Sequence, residues 1–367
     1  MRAYLDHAST SPPRPGVIDA MVSWLGRTAD PGRVHTEGRM VRAAIEDARE
    51  AVASLVGVRA REVVFTSGAT EAANAAVWGA AQAQPGVIAA AHVEHSSVRD
   101  AVERTGRGVW LAVDSNGAIE VGAVTQILQG SSPVALVNCQ WGNHEVGTLQ
   151  PVEAIVEQCR AAGVLVHIDA AQACGQVALE LGALGVDLVS VSGHKFGGPP
   201  GVGALIVRRG LRLPPLIVGG DQERARRAGM ENVPAIVGFG VAAGFVPAPE
   251  RALAQTSALL EAGLAVPGVV AYGSTSSRLP HIVCLGVPGV EAEAVLLGLD
   301  QAGVAAHSGS ACSSESLEPS PVLEAMGVDA QRSLRLSVGW STTEADVAAF
   351  GRAFGGVVSR LRALGAG

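Results

Sequence analysis

The sequence predicts an α/β fold with a mainly parallel sheet flanked by helices. Two observations support this prediction. Short apolar runs of strand length alternate with longer segments of helical periodicity between residues 38 and 207, and such alternation is typical of βαβ units that place parallel strands side by side. Hydrophobic residues make up 48% of the 367 residues, so a large core is available.

Most of these elements lie in the first two thirds of the chain. Apolar residues recur on one helical face between residues 38 and 56, and Gly57 ends this predicted helix. Further helices are predicted over 70–80 and 151–162. Strands are predicted at 62–66, 87–91, 109–113, 133–138, 164–168, 187–191 and 202–207.

A change of composition at residues 245–250, where Pro247 and Pro249 occur close together, predicts a linker or a helix start into a second domain. The capping-box pattern Ser341-x-x-Glu344 predicts the start of the last helix, which is expected to end near Leu364. The other elements expected in this part are a helix at 250–265, strands at 269–272 and 281–285, a helix at 290–301 and a Gly/Ser-rich loop at 307–316.

Charge and cysteine usage exclude several classes of protein. The net charge is −7, whereas a nucleic-acid-binding surface would be basic and clustered. The sequence contains no apolar run that would predict a secretory signal or a membrane span. The five cysteines show no C-x-x-C spacing, and an odd number of cysteines cannot all pair within one chain. We therefore expect neither a disulfide framework nor a metal site. We expect a cytoplasmic protein.

A lysine and an aspartate follow the ends of two predicted strands. Lys195 closes the run Ser192-Gly193-His194-Lys195, and Asp169 follows the strand at 164–168. Ligands bind at this edge in open α/β sheets. A lysine that bonds covalently to pyridoxal phosphate, with an aspartate that keeps the ring nitrogen protonated, would suit this edge. An ordinary strand-end lysine facing solvent is the alternative, and this pair alone does not choose between the two.

The run Ser67-Gly68-Ala69-Thr70-Glu71 joins a predicted strand to a predicted helix. Backbone N–H groups at a helix start, together with the Thr70 hydroxyl, suit a phosphate group. The same run is also an ordinary helix N-cap. Ser192 and His194, beside the lysine, can donate to the same anion, and an anion contacted from two strand ends is the more specific hypothesis.

Three further side chains are candidates for the site. His95, after the strand at 87–91, can stack on a cofactor ring or transfer protons, or it can be a plain loop histidine. Gln172 can donate to a ring hydroxyl or lie on a helix surface. Arg335 interrupts an alternating strand pattern, which suits either bidentate capture of a carboxylate or a structural ion pair.

Cys312 lies among small and polar residues, from His307 to Ser316, without a core pattern. An accessible thiol in such a segment is a candidate nucleophile. A spare surface cysteine is the alternative, and it is uncommon because of its redox liability. Apolar neighbours predict core positions for the other four, Cys139, Cys159, Cys174 and Cys284.

Together these motifs resemble the cysteine desulfurases of the class V, fold-type I aminotransferase group. The matching segments run from Tyr4-Leu5-Asp6-His7-Ala8 to Leu334-Arg335-Leu336-Ser337 and span nearly the whole chain. The most specific are Phe65 to Glu71, Ser192 to Lys195, and Ser308-Gly309-Ser310-Ala311-Cys312-Ser313-Ser314. The last segment is similar to the long catalytic loop of one subgroup, which carries a Gly-Ser-Ala-Cys signature.

The resemblance implies an architecture, a reaction and partners. A fold-type I transferase dependent on pyridoxal phosphate (PLP) would have a large PLP-binding domain over 10–247. A smaller α+β domain, formed by 1–9 and 248–367, would carry the cysteine loop. The enzyme would convert L-cysteine to L-alanine and pass the sulfur through its own persulfide to an acceptor protein. It would be a homodimer without nucleic-acid or membrane partners. A selenocysteine lyase, another reaction of the class and a non-catalytic sulfur-transfer scaffold are the alternatives.

The resemblance also implies roles for the matched positions. Lys195 would bond to the cofactor, Asp169 would pair with its ring nitrogen, and Cys312 would attack the substrate sulfur. The remaining implied contacts are Gln172 with the ring oxygen, His95 stacked on the ring, Ala69, Thr70, Ser192 and His194 around the phosphate, and Arg335 with the substrate carboxylate.

Two positions depart from the family pattern. Asn143-His144-Glu145 stands where members often carry Asn-Asn-Glu, whose second position usually contacts cofactor or substrate. Because a histidine can still donate a hydrogen bond, we expect His144 to retain that contact. Met230 stands where relatives often have a threonine that reaches the phosphate of the other subunit. Methionine cannot donate that bond, so we expect weaker cofactor retention than in threonine-bearing relatives.

Overall fold

The structure is a computed structural model that describes residues 2–27, 30–245, 247–308 and 319–365. Each predicted strand is present within these ranges, with ends that differ by at most two residues. The strands, in chain order, are β1 (Ala3–Tyr4), β2 (Val63–Thr66), β3 (Val87–Ala91), β4 (Gly108–Leu111), β5 (Val134–Gln140), β6 (Leu165–Asp169), β7 (Leu188–Ser192), β8 (Gly203–Val207), β9 (Val270–Tyr272), β10 (Ile282–Gly286), β11 (Val304–Ala305) and β12 (Ser333–Ser337).

Helices connect these strands, and each predicted helix is present. None of the helices in the described ranges is both long and apolar enough to cross a membrane. They are α1 (Pro15–Leu25), α2 (Thr36–Leu55), α3 (Ala69–Ala83), α4 (Ser96–Arg104), α5 (Val121–Leu128), α6 (Val152–Ala162), α7 (Leu181–Leu184), the irregular turn α8 (Gln222–Ala225), α9 (Val233–Ala243), α10 (Pro249–Leu264), α11 (Ala292–Gln301), α12 (Pro321–Ala325) and α13 (Glu344–Gly365).

The sequence does not predict α9, and its packing explains why. This helix lies against α1 and α2, with Val233, Ile236 and Phe239 among its buried residues. A helix that is apolar on nearly every side has no polar face, so the period of 3.6 residues does not stand out in its sequence.

Within the described ranges, seven strands form the main sheet in the order β2-β8-β7-β6-β5-β3-β4. The strands from β7 to β4 in this order are parallel, whereas β8 runs antiparallel to both of its neighbours. Gln140 of β5 lies beside Asp169 of β6, and Asp169 lies beside Ser190 of β7. The carboxyl ends of these three strands therefore meet at one edge of the sheet.

Alternate residues of each strand face opposite layers of helices. Val64 of β2 and Ile88 of β3 belong to the core beneath α3 and α4. Their neighbours Phe65 and Ala89 belong to the core on the other face, which α1, α2, α6 and α9 cover. Because helices cover both faces, the carboxyl edge of the sheet is the surface left for a ligand.

A further core lies in the C-terminal part of the chain. β9, β10 and β12 form an antiparallel sheet, on which α10, α11 and α13 pack. Ala3 and Leu5 enter the same core because β1 pairs in parallel with β11. We therefore propose two domains, one formed by residues 10–247 and the other by residues 1–9 and 248–367. The separate C-terminal core supports this division.

The cap of α13 differs from the predicted one. The sequence predicts a capping box between Ser341 and Glu344, and that prediction is wrong by two residues. The N–H of Asp346 donates to Thr343 Oγ1 at 3.3 Å, and the N–H of Thr343 donates to Asp346 Oδ2 at 2.8 Å. A hydroxyl and a carboxylate three residues apart satisfy the first N–H groups of the helix in the same reciprocal way.

Candidate active site

A cavity of about 460 Å³ opens at the carboxyl edge of β5, β6 and β7. Six separate segments of the chain meet there, and five of them contain residues that the sequence singled out. The predicted site residues that line the cavity are Ala69, Thr70, His95, His144, Asp169, Gln172, Ser192, His194 and Lys195.

Lys195 reaches the cavity from a single 3-10 turn that follows β7. Its Nζ atom donates to the carbonyl oxygens of Ala8 at 2.6 Å and Ser9 at 3.0 Å. Removal from water lowers the pKa of Lys195 to about 8; the guanidinium of Arg335 acts in the same direction, and two neighbouring carboxylates oppose it. A considerable fraction of the amine is therefore neutral near pH 8, and the neutral form attacks carbonyl carbons.

Asp169 is the last residue of β6 and is buried. Its Oδ1 accepts hydrogen bonds from Ser190 Oγ and from the backbone N–H of Ala171, both at 3.0 Å. Burial raises the pKa of Asp169, while these two donors lower it. Burial first, and then the charge of Asp169, raise the pKa of the fully buried Glu94 to about 8. Glu94 is therefore mostly neutral at neutral pH and adds no full negative charge beside Asp169.

The predicted phosphate site is the turn between β2 and α3. α3 begins at Ala69 after Gly68, which has no side chain to cap the first N–H groups of the helix. Across the cavity, Ser192 Oγ and His194 Nδ1 lie 2.9 Å apart. Burial lowers the pKa of His194 to about 4, so its ring is neutral. Backbone and hydroxyl donors from two strand ends can thus converge on one anion.

An ion pair supports this turn from outside the cavity. The N–H of Ser67 donates to Glu71 Oε2 at 2.8 Å, and Arg227 binds both carboxylate oxygens of Glu71 at 2.9 and 3.1 Å. Burial raises the pKa of Glu71, but the hydrogen bonds from Arg227 and Ser67 leave it below its ordinary value. The guanidinium therefore neutralises a carboxylate that would otherwise repel a phosphate at this turn.

His95 and His144 meet at the cavity wall, where their ring centroids lie 5.1 Å apart and their planes cross at 67°. The N–H of Ser97 donates to His95 Nδ1 at 3.1 Å. Burial lowers the pKa of His95 to about 3, so this ring is neutral and carries its proton on Nε2. His144 is buried beside Glu145.

Gln172 has partners on both sides of its amide. Its Nε2 donates to the carbonyl oxygen of Ala8 at 2.8 Å, and its Oε1 lies 3.3 Å from His281 Nε2. Burial lowers the pKa of His281 to about 3, so a neutral ring donates this bond. The expected contact between Gln172 and a cofactor oxygen stays a prediction.

Arg335 is buried in β12 and lies outside the residues that line the cavity. Its Nη2 donates to Asp6 Oδ1 at 2.8 Å and to Ser9 Oγ at 2.7 Å, while its Nη1 donates to the carbonyl oxygen of His144 at 2.8 Å. Within the described residues its Nε has no partner. The structural ion pair is therefore present, and capture of a substrate carboxylate stays a prediction.

Two further sequence expectations concern Met230 and Cys312. The side chain of Met230 is 66% exposed on the surface, so it is free to contact another molecule. Cys312 belongs to residues 309–318, which lie outside the described residues.

No sequence pattern assigns a role to the N-terminal turn, although this turn contacts both Lys195 and Arg335. Ala8 and Ser9 accept from Lys195, and Asp6 and Ser9 accept from Arg335. The position of the turn depends on a pairing between β1 and β11 that spans about three hundred residues of sequence. A local sequence pattern cannot reveal such a contact.

The chain matches the model of the family described as aminotransferase class V over residues 3–350. An IscS-like cysteine desulfurase of Mycobacterium tuberculosis is 41% identical over 98% of this chain and 97% of its own length. A cysteine desulfurase of a Nostoc species is 40% identical over 98% and 94%. Among solved structures, a NifS-like protein from Rickettsia africae superposes with a TM-score of 0.90 at 29% identity, covering 98% of this chain and all of the other. A protein solved as SspA in complex with cysteine superposes with a TM-score of 0.81 at 31% identity, covering 92% and 98%.

Proposed function

The chain belongs to the aminotransferase class V family, and we propose that it is a cysteine desulfurase. It converts L-cysteine to L-alanine and transfers the sulfur to its own Cys312 and then to an acceptor protein. The observation that carries this proposal is the convergence of Lys195, Asp169 and the turn at 67–71 on one cavity. Relatives named cysteine desulfurase, matched over 98% of the chain, support the same reaction.

The residues that line the cavity fit pyridoxal 5'-phosphate. Its aldehyde, ring nitrogen and phosphate require an amine, a carboxylate and a group of N–H or O–H donors. Lys195 supplies the amine, Asp169 the carboxylate, and the uncapped start of α3 with Ser192 the donors. His144 lines the same cavity. When bound, this cofactor withdraws electrons from the substrate Cα and so makes its proton removable.

Lys195 has two tasks in this proposal. Its neutral amine would hold the cofactor through the aldehyde group, and the same amine, when free, would take the proton from the substrate Cα. A pKa near 8 suits both tasks, because neutral and protonated forms are then both populated near neutral pH. The carbonyl oxygens of Ala8 and Ser9 lie where they can accept from the displaced, protonated amine.

Asp169 and His95 fix the charges around the cofactor ring. Asp169, held by two donors, would stabilise a proton on the ring nitrogen of a bound cofactor. The neutral Glu94 beside it adds no second negative charge. His95 presents a neutral ring to the cavity and can stack on the cofactor, and its Nε2–H can exchange protons with the substrate.

Arg335 orients the substrate through its carboxylate. The Nε–H of this guanidinium is without a partner among the described residues, and its Nη2 is shared between Asp6 and Ser9. A bidentate contact with a carboxylate uses Nε together with Nη2. Binding of the substrate in this way requires Ser9 or Asp6 to give up its bond, which makes the N-terminal turn part of substrate binding.

The sulfur transfer is a balanced exchange of bonds. The Cys312 thiolate attacks the substrate sulfur and forms an S–S bond, while the C–S bond breaks and leaves its electron pair on carbon. That carbon takes up a proton and becomes the methyl group of alanine, and Cys312 becomes a persulfide. The segments on either side of 309–318 are anchored near the site: Ser333 Oγ donates to the carbonyl oxygen of Ser308 at 2.8 Å, and Ser320 Oγ donates to Glu145 Oε2 at 2.6 Å.

We propose that the enzyme works as a homodimer. On α1, the side chains of Ile18, Val22 and Leu25 are 48%, 60% and 67% exposed, and their spacing puts them on one helical face. An apolar stripe of this kind suits a second copy of the chain. Sedimentation should give a dimer that Val22→Glu with Leu25→Glu converts to a monomer, whereas Leu364→Glu, at an exposed apolar residue near the end of α13, should leave a dimer. A monomeric wild type would refute this assembly.

The state of the cysteines supports a cytoplasmic location. Cys139, Cys159, Cys174 and Cys284 are free and buried. Burial raises the pKa of Cys159 and Cys174 to about 12, which keeps both as unreactive thiols. A reducing compartment would preserve these thiols and would also keep Cys312 available for the reaction.

The proposed reaction is tested by measuring alanine and sulfide formed from L-cysteine by protein loaded with PLP, in the presence of a thiol reductant. We expect equal amounts of the two products. Lys195→Ala should form neither, and Arg352→Ala, a change of an exposed residue on α13, should form both at the wild-type rate. Cofactor-loaded wild-type protein that forms no alanine would refute the assignment.

A further inference from the structure

The side-chain amide of Gln172, which lines the cavity, is oriented by two protein contacts. Its Nε2 lies 2.8 Å from the carbonyl oxygen of Ala8, an atom that can only accept, so the NH₂ half of the amide must lie on that side. Its Oε1 then lies towards Nε2 of His281, at 3.3 Å. An amide oxygen can only accept as well, so the proton in this contact belongs to His281. The second hydrogen of the NH₂ group remains available to a ligand.

His281 is a neutral ring, and its proton is therefore on Nε2 alone. The residue is buried. Burial, and then the charges of His7 and Arg335, lower its pKa to about 3. A neutral imidazole has one N–H group and one bare nitrogen, so Nδ1 of this ring is an acceptor. Within the described residues the buried Nδ1 has no partner, whereas buried polar atoms in native structures nearly always have one.

His7 is a second buried imidazole with one nitrogen that lacks a partner among the described residues. Its Nδ1 lies 2.7 Å from Ser11 Oγ, and Nε2 is the nitrogen without a partner. Burial lowers the pKa of His7 to about 4, although the charges of Asp6 and Asp346 act in the opposite direction. This ring is therefore also neutral and carries a single proton, either on Nδ1 or on Nε2.

The two rings lie beside the same short stretch of backbone. The N–H of Val338 donates to the carbonyl oxygen of His281 at 3.0 Å. The ring of His7 packs so closely on the next residue, Gly339, that a Cβ atom there would overlap with Nδ1 of the ring. A charge on His7 lowers the pKa of His281, as expected for two rings close together. A donor on one ring can therefore serve the acceptor on the other.

We propose that Ser11, His7, His281 and Gln172 form one hydrogen-bond chain with a fixed direction. The hydroxyl of Ser11 donates to Nδ1 of His7. The Nε2–H group of His7 donates to Nδ1 of His281, directly or across one water molecule. The Nε2–H group of His281 donates to the amide oxygen of Gln172. With the proton of His7 on Nδ1 instead, two bare ring nitrogens would be left without a donor.

His281 and His7 are thus positioning residues, and what they position rests on the proposed function. His281 keeps the amide of Gln172 from turning over, so that an N–H group stays available to an oxygen atom of bound PLP. Each donor in such a chain also polarises the next one. His281 lies just before β10 and His7 lies in the N-terminal turn. A donor at the edge of the main sheet is therefore oriented by segments that belong to the smaller domain.

Nitrogen-15 NMR of the histidine rings in the cofactor-free protein tests the direction of the chain. At pH 7 we expect both rings to be neutral with the proton on Nε2, and the signals are assigned through their loss in His281→Gln and His7→Leu. A proton on Nδ1 of His281 would leave no donor for Gln172 and would overturn the proposal. A proton on Nδ1 of His7 would reverse the first contact and would overturn it as well.

The same spectra test the link between the two rings. The chemical shift of a bare ring nitrogen depends on the hydrogen bond that it accepts. His7→Leu should therefore move the signal of Nδ1 of His281. His92→Leu, at an exposed histidine that stacks on Trp110, should leave this signal in place. An unmoved signal in His7→Leu would mean that the rings are not connected, and would overturn the proposal.

Titration of cofactor-free protein with PLP tests the positioning. His281→Leu removes the donor to Gln172 and should weaken binding about 10-fold, as expected for one hydrogen bond to a buried acceptor. His281→Gln places an amide N–H near the position of Nε2 and should largely restore the affinity, and His92→Leu should not change it. Equal losses in His281→Leu and His281→Gln, or no loss in either, would overturn the proposal.

A double-mutant cycle with Gln172 shows whether His281 acts through this amide. In the Gln172→Leu background, His281→Leu should weaken PLP binding no further. A second loss of about 10-fold there would mean that His281 acts on the fold in general, and would overturn the proposal. Failure of the wild type to bind PLP would instead refute the proposed function, because the NMR result does not depend on the cofactor.

Discussion

The Nζ atom of Lys195 lies 2.6 Å from the carbonyl oxygen of Ala8, so the lysine of the site is held by the N-terminal turn. The same carbonyl oxygen accepts from Gln172. Because β1, just before this turn, pairs with β11, the turn connects the C-terminal core to the edge of the main sheet. Substitutions in the turn therefore affect both the lysine and the arginine of the site.

The depressed pKa of Lys195 predicts how cofactor capture depends on pH. The folded value is about 8, against 10.5 for the free side chain, and the neutral amine is the reactive form. The rate at which cofactor-free protein captures PLP should rise about tenfold between pH 7 and pH 9 and then level off. Stopped-flow absorbance follows the capture. A rate that continues to rise up to pH 10.5 would mean that the site does not depress this pKa.

The pair between Asp6 and Arg335 should contribute to stability. Asp6→Asn removes the negative charge that neutralises the buried guanidinium of Arg335. We expect this change to lower the free energy of unfolding by about 1–3 kcal/mol. Urea denaturation measures the change. The matched control is Asp300→Asn, which removes the exposed pair with Arg2 and should cost less than about 1 kcal/mol. Equal effects of the two changes would contradict the role given to Asp6.

Backbone conformation predicts a stabilising substitution in α8. Glu223, Arg224 and Ala225 have φ values of 48°, 59° and 60°, a region that residues with a Cβ adopt at a cost. Ala225→Gly should raise the free energy of unfolding by about 1 kcal/mol. Ala348→Gly, in the regular helix α13, should lower it by roughly the same amount. A loss of stability in Ala225→Gly would contradict the left-handed conformation at this residue.

The exposed Met230 predicts a gain in cofactor affinity. If its side chain approaches the phosphate of the partner's site, Met230→Thr supplies a hydroxyl donor there. The dissociation constant of PLP should fall about 10-fold, as expected for one hydrogen bond to a charged group. Met230→Ala, which provides no donor, should leave the affinity unchanged. An unchanged affinity in Met230→Thr would count against a contact with that phosphate.

The sequence predicts the strands and the residues at their ends well, because apolar runs and the rule for ligand sites at the sheet edge are both local patterns. Lys195, Asp169 and Ser192 accordingly line one cavity. Such local patterns do not predict which other residues these side chains contact. From the sequence, Arg335 is expected either to bind a substrate carboxylate or to form a structural ion pair. Its ion-pair partner Asp6 lies 329 residues away in sequence, and no local pattern identifies it.

The helix α9 and the carboxyl group of Glu145 illustrate two further reasons. α9 is apolar on nearly every side, so tertiary packing alone reveals it. Glu145 is one of 34 acidic residues in the chain, and only its burial and its hydrogen bond from Ser320, a contact that joins distant segments, distinguish it. Both features arise from the arrangement of elements in space.

Mass spectrometry of the protein after brief reaction with L-cysteine, without a reductant, tests the sulfur transfer directly. We predict one added sulfur atom on the peptide that contains Cys312, together with one alanine per sulfur. Cys312→Ser should bind PLP as the wild type does but should gain no sulfur, and Lys195→Ala should lack both the bound cofactor and the added sulfur. Sulfur found on another cysteine, or undiminished sulfide release by Cys312→Ser, would contradict the role of Cys312 as the sulfur acceptor.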